Sequence, residues 1–250
     1  MTRALVACAF ALVSCTAIPA AVATSAPRAT PTPTLFSTTT APTATHATST
    51  PAFRYVAIGA SDTVGVGASD PRTGSWPARL AARLPSSTDY VNLGVSGSLA
   101  AQASREQLPT ALGLRPQLAT VWLAVNDLNA SLPAADYAAA LRSVVEPLVS
   151  RTAARIFVGN VPDLRAVPVY ANVDKARLLA GIQAYNDVIA VIAARNPDRV
   201  HVVDLFTGSA ALVSTGTVSP DGFHPSDEGY QLIADRFASA MRASGVPLRA

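Results

Sequence analysis

Cysteine is nearly absent from this chain of 250 residues: Cys8 and Cys15 are the only two, and both fall within the first fifteen positions. The body that follows therefore has no disulfide and no thiolate ligand for a metal. Histidine is almost as scarce, with His46, His201 and His224 the whole set. No carboxylate–histidine cluster at ligand spacing accompanies them, so no metal and no other cofactor is expected. Charge is low as well. The chain carries a net +3, and because Arg3 and Arg28 lie before residue 53, residues 53–250 hold 17 basic against 16 acidic side chains. A body so close to neutral lacks the electrostatic footprint of a nucleic-acid partner. Glycine signatures are missing too, since Gly65-Val66-Gly67 has no third glycine at the spacing of a dinucleotide fingerprint.

What is present begins with an export signal over residues 1–15. Arg3 is its positive start, and Ala4 to Ser14 form an apolar stretch too short to span a bilayer. Two processing outcomes fit. Leu12-Val13-Ser14-Cys15 resembles a bacterial lipobox, which would make Cys15 the lipidated first residue of a membrane-tethered protein, whereas Ala21-Val22-Ala23 offers a small-residue site for free secretion. The apolar stretch ends where the lipobox begins, which favours lipidation at Cys15. Cys8 follows a similar Leu5-Val6-Ala7, but too few apolar residues precede it. Residues 16–52 are rich in Thr, Pro, Ala and Ser with almost no charge, a composition that builds no core and suits an extended stalk. His46 lies inside this tract, away from any catalytic context.

From residue 53 the pattern changes to short β-branched runs alternating with longer amphipathic segments, the mark of a parallel sheet covered by helices. Half of the chain is hydrophobic, much of it alanine, which suffices for one domain of about 200 residues. Strands are expected near 53–58, 89–93, 118–124, 154–160 and 199–204. Helices are expected over 75–84, 98–112, 134–150, 173–195 and 226–244, the last capped by Ser226. No repeat and no second domain boundary interrupts residues 53–250. In open sheets of this kind functional groups gather at the carboxyl ends of the strands.

Three stretches sit at those ends. Gly59-Ala60-Ser61-Asp62-Thr63 follows the first strand, Asn92-Leu93-Gly94-Val95-Ser96-Gly97 the second, and Val121-Trp122-Leu123-Ala124-Val125-Asn126-Asp127 the third. Far along the chain Asp221-Gly222-Phe223-His224 adds a carboxylate and an imidazole. A serine at a strand-to-helix turn can expose its hydroxyl and leave its backbone N–H free, and a neutral imidazole can activate it once a carboxylate fixes the tautomer. Ser61 is not framed by the Gly-x-Ser-x-Gly elbow. An amide at a strand end, such as Asn126, can donate to a developing alkoxide, an interaction worth about 3 kcal/mol. Singly, Ser61 reads as a turn serine, Asp221-Gly222 as an ordinary turn and His224 as a loop histidine. Their order and company point to a serine hydrolase.

With these four blocks in order, residues 53–250 resemble the SGNH/GDSL hydrolase family of esterases and lipases. The resemblance implies a three-layer α/β/α, flavodoxin-like fold around the five-stranded parallel sheet. It implies Ser61 as nucleophile, His224 as general base and Asp221 as its partner, with the Ser61 N–H, the Gly97 N–H and the Asn126 amide as oxyanion-hole donors. Two positions depart from the family pattern. Ala60 stands where the first block has aspartate, which alters how that loop is braced, and Ala124 stands where the third has glycine, which tightens the backbone beside the hole. Asp127 is expected to bond loop backbone. Asn129, Asn160 and Asp163 could line a pocket or simply form turns, His201 and Asp204 are read as packing or bracing residues, and Trp76 and Trp122 as core aromatics.

The expected function is an exported serine esterase acting on lipid, acetyl or other small acyl esters, extracellular or at the cell surface. An acyltransferase, a thioesterase or a carbohydrate deacetylase would use the same residues, and a surface-tethered binding module would need none of them. Acyl length, natural substrate and oligomeric state are not encoded in the pattern, because loops 64–74 and 160–172 would shape the pocket.

Overall fold

The computed structural model describes residues 53–249; the export signal, Cys15, His46 and the Thr/Pro-rich tract lie outside the described residues. The sheet has five parallel strands: β1 (Arg54–Gly59), β2 (Asp89–Asn92), β3 (Leu118–Trp122), β4 (Arg155–Gly159) and β5 (Val200–Val203). Their order is β2-β1-β3-β4-β5, the flavodoxin-like arrangement. Each strand is a β-branched or aromatic run flanked by turn residues.

Helices fill the crossovers. After β1 come α1 (Ser61–Val64), α2 (Pro71–Gly74) and α3 (Trp76–Ala81); after β2, α4 (Ala100–Glu106) and α5 (Leu108–Leu114); after β3, α6 (Val125–Asn129) and α7 (Ala134–Arg151). After β4 comes α8 (Lys175–Ala194), and after β5, α9 (Asp227–Ala243). Alternate side chains of the strands feed two cores. Val56, Ile58, Val121, Ile156 and Val158 pack with the apolar faces of α4, α5, α7 and α8. Tyr55, Ala57, Leu118, Trp122 and Phe157 pack with α3 and α9, where Trp76 stacks on Phe237 with centroids 4.1 Å apart.

Two sequence expectations are refined by local chemistry. The helix expected over 98–112 breaks at Gln107, because Pro109 has no N–H to continue the α4 ladder and instead sits in the first turn of α5. The third strand stops at Trp122 rather than 124, because Ala124 turns the backbone out of the sheet at φ 157° and ψ −40°. The helices α1, α2 and α6 are four or five residues long, too short to carry a period. Ser226 caps α9 as expected, accepting from the Gly229 N–H at 3.3 Å.

The connection after β1 leads to β2 on one side, while β3 pairs on the other side of β1. This reversal leaves a crevice at the carboxyl edge between β1 and β3, where such sheets bind ligands. Ser61 and Asn126 follow those two strands. Behind them, the fully buried Tyr137 on α7 donates its hydroxyl to the Leu123 carbonyl at 2.9 Å and stacks on Tyr185 at 4.2 Å. Tyr137→Phe leaves that carbonyl without a partner. The variant should lose about 1–2 kcal/mol in urea unfolding with the slope unchanged.

Candidate active site

Ser61 opens α1 two residues past β1 and is 8% exposed. The N–H groups of Thr63 and Val64 both reach the Ala60 carbonyl at 3.0 Å, closing the turn at once. His224 Nε2 lies 2.9 Å from Ser61 Oγ, and His224 Nδ1 lies 2.6 Å from Asp221 Oδ2. The carboxylate shapes its own loop with its other oxygen, which accepts the Phe223 N–H at 2.8 Å, the His224 N–H at 2.9 Å and the Ser219 hydroxyl at 2.8 Å. Gly222 makes the bend at φ 72°, a left-handed conformation. Desolvation pushes the Asp221 carboxyl up, but the hydrogen bonds from the His224 ring, the two loop N–H groups and Ser219 outweigh it and hold the group well below the usual carboxylate range. An ionised Asp221 can only accept. His224 Nδ1 is therefore the protonated nitrogen, and Nε2 turns a lone pair toward the serine.

The three groups expected to donate to an oxyanion keep hydrogens to spare. The Ser61 and Gly97 N–H groups donate to no other group among the described residues. The Asn126 amide gives one hydrogen to the Ser98 carbonyl at 3.1 Å and keeps the second free. Gly97 stands at φ 78° with open space around it. Asp127 has no exposed surface and accepts the Ala100 N–H with both oxygens, at 3.1 and 3.3 Å, which ties α6 to the start of α4. Its role is to position loop backbone.

The first loop, which carries Ala60, is braced by side chains from elsewhere. The buried Gln107 accepts the Gly59 N–H at 3.0 Å, donates to the Gly59 carbonyl at 3.0 Å and reaches Ser98 Oγ at 3.1 Å. Asn92 adds a bond to the Thr63 carbonyl at 2.7 Å and accepts the Gly94 N–H at 2.9 Å. Sequence reasoning missed Gln107, whose only signal is the proline two positions on. At Ala124, 3% exposed, the backbone occupies a region that L-residues rarely adopt. Such a position stores about 1–3 kcal/mol.

Beside the Asp221–His224–Ser61 hydrogen-bond chain an apolar cavity of about 140 Å³ opens from Asp62 and Phe223, with Trp122, Val125, Leu164 and Ile233 among its walls. Loop 160–172 contributes as expected, but loop 64–74 does not; residues 205–218 and α9 line the far side instead. Phe223 meets the His224 ring edge to face at 4.7 Å and Tyr170 at 6.1 Å. Trp76 is a core aromatic, while Trp122 also walls the cavity. Asp163 lines it with its charge already paired to Arg165 at 2.6 Å. Asn160 braces the chain by accepting the Leu205 N–H at 2.6 Å, and Asn129 accepts from the Tyr170 hydroxyl at 2.8 Å. His201 packs on Phe157 at 5.0 Å, and Asp204 accepts the N–H groups of Phe206 and Thr207. Among the described residues no group of three His, Cys, Asp or Glu side chains is arranged to hold a metal ion.

Asp62, one residue past Ser61, walls both this cavity and a smaller recess beside Ala124 and Asn126. Burial lifts its carboxyl to about 6; attraction to His224 and a bond from its own N–H work against the rise, and the charge of Asp221 adds to it.

The GDSL-like lipase/acylhydrolase family matches residues 57–232 of the chain. No curated protein matches it by sequence. Among solved structures, TesA superposes with a TM-score of 0.62 at 21% identity, covering 76% of this chain and 99% of its own. The psychrotrophic esterase EstA from Pseudoalteromonas sp., in a form inhibited by monoethylphosphonate, gives 0.60 at 17% identity over 76% and 97%. The acetyl xylan esterase AlAXEase gives 0.59 at 17% identity over 75% and 98%.

Two substitutions test this account. Ala124→Gly relieves the strained backbone at the cost of greater unfolded-state freedom, and should raise the stability measured in urea by about 1 kcal/mol. For Asp62 the folded pKa, about 6, exceeds the ordinary 3.8, so the folded state holds the proton more tightly. Stability is then greatest below the lower value and falls as pH rises through the higher one. Asp62→Asn should match the wild type near pH 4 and exceed it by about 1–2 kcal/mol at pH 8, read from thermal unfolding across pH.

Proposed function

Since the chain belongs to the GDSL-like lipase/acylhydrolase family, we propose that it is an exported serine esterase that cleaves carboxylic esters through an acyl-enzyme on Ser61. The observation that carries this reading is the unbroken hydrogen-bond chain from Asp221 through His224 to Ser61, set beside three donors with capacity to spare. Ser61 Oγ attacks the ester carbonyl as His224 Nε2 takes its proton. The carbonyl oxygen, now an alkoxide, receives hydrogen bonds from the Ser61 N–H, the Gly97 N–H and the Asn126 amide. Asp221 stabilises the imidazolium without taking its proton. Collapse of the tetrahedral intermediate breaks the C–O bond, and the imidazolium gives its proton to the departing alcohol. Water, activated by the restored imidazole, then frees the acid by the same path.

The apolar cavity suits the hydrocarbon portion of an ester. We place the enzyme outside the cytoplasm, tethered through Cys15 on its Thr/Pro-rich stalk, where lipid or cell-envelope polysaccharide esters are the natural substrates; this part of the reading rests on the sequence of residues 1–52.

Hydrolysis of p-nitrophenyl esters from acetate to palmitate tests the mechanism, with Ser61→Ala and His224→Ala each lowering kcat by at least about 10³-fold. Full activity in both variants would refute the assignment. An organophosphonate should label the wild type at Ser61. Labelling without ester turnover would point to an acyltransferase that needs its own acceptor, and no labelling to a binding module.

A further inference from the structure

We propose that Asp62 selects the substrate by accepting a hydrogen bond from a hydroxyl group that the ester carries close to its scissile bond. The proposal deepens the esterase reading and rests on it.

Every other carboxylate around the site has its partner. Asp221 is held by His224, Ser219 and two backbone N–H groups, Asp127 by the Ala100 N–H, and Asp163 by Arg165. Asp62 receives only its own backbone N–H. It is nonetheless partly buried, next to the nucleophile, and it is a wall of two adjoining spaces, the larger of them mainly apolar and the smaller bounded also by Asn126. A carboxylate in that position raises the free energy of the empty enzyme, since burial favours its protonated form. A substrate that brings a hydrogen-bond partner removes the penalty, and one that brings a methylene leaves it in place. Sites built around an unpaired polar group discriminate strongly for this reason.

The chemistry favours a hydroxyl over an ammonium. Burial draws the carboxyl toward its protonated form, and a hydroxyl can serve either form. A hydroxyl donates to the ionised form and accepts from the protonated one, while an ammonium suits only the former. An ammonium held at Asp62 would also stand close to the imidazolium that His224 becomes during catalysis, a like-charge contact that raises the barrier.

The test compares kcat/KM within matched pairs. On the acyl side the pair is p-nitrophenyl butyrate and p-nitrophenyl 3-hydroxybutyrate; on the alcohol side it is butyl butyrate and 2,3-dihydroxypropyl butyrate. The wild type should favour the hydroxylated member of one pair by about tenfold to a hundredfold, and the pair that responds identifies the side of the bond. Asp62→Leu should bring that ratio to about one. The near-isosteric Asp62→Asn, which keeps an acceptor oxygen and should fold even if the leucine variant does not, should fall between the two. A wild-type ratio near one in both pairs, an unchanged ratio in both variants, or a preference for butyrylcholine over both hydroxylated esters would each overturn the proposal. Silence of the wild type on all four esters, with no phosphonate captured by Ser61, would instead remove the esterase reading beneath it.

Discussion

The grip of Gln107 on both polar groups of Gly59 is the constraint on which the site depends. Gly59 ends β1, so its N–H and carbonyl sit where the ladder with the neighbouring strands runs out. The carbonyl also accepts the Val95 N–H at 3.1 Å, so the Gln107 amide and the loop after β2 together keep this edge, and Ser61 beyond it, from fraying. The same amide touches Ser98, and Asp127 fastens the Ala100 N–H two residues further on. Two buried side chains thus lock the loops after β1, β2 and β3 to one another, and Ser61, Gly97 and Asn126 are carried as one unit. Buried polar groups held this way are strong because the low-dielectric surroundings make any alternative arrangement expensive.

The carboxylates flanking Ser61 illustrate how environment divides their roles. Asp221 has its acceptor capacity filled and stays ionised; Asp62 has almost none of it filled, and burial draws a proton toward it. They lie near enough for each to feel the other's charge and that of His224. Separation of two titratable groups by surroundings rather than by chemistry is a recurrent arrangement in active sites. The protein keeps one charge fixed at the base and leaves another responsive at the wall of the cavity.

Much of this was legible in the sequence, for reasons that differ by residue. The strands were visible because apolar β-branched runs between turn residues have few other places to go, and the long helices because their periods extend over several turns. Ser61, Asp221 and His224 were legible because each falls in a short block whose order along the chain is itself information. Gln107 was not: a glutamine within an amphipathic segment looks like any exposed helical residue until Pro109 splits the helix and turns it inward. The cavity was only half legible. Residues 205–218 have no periodic pattern, and their packing over Trp122 and α9 follows from tertiary contacts alone. The stored strain at Ala124 was foreseen as crowding, but its form, a backbone angle proper to glycine, depends on the turn between β3 and α6.

The division of labour along the chain has a further meaning. Ser61, Gly97 and Asn126 follow β1, β2 and β3, whereas the cavity is walled largely by segments that follow β4 and β5, and the Asp221–His224 loop is what links the two halves. Most of the cavity wall is thus encoded apart from Ser61, Gly97 and Asn126, with Asp62, Trp122 and Val125 the exceptions. Grafting a different 205–218 segment would recast the far wall of the cavity and leave Ser61, Gly97 and Asn126 as they stand, so the space beside Ser61 can change shape by exchange of a surface loop.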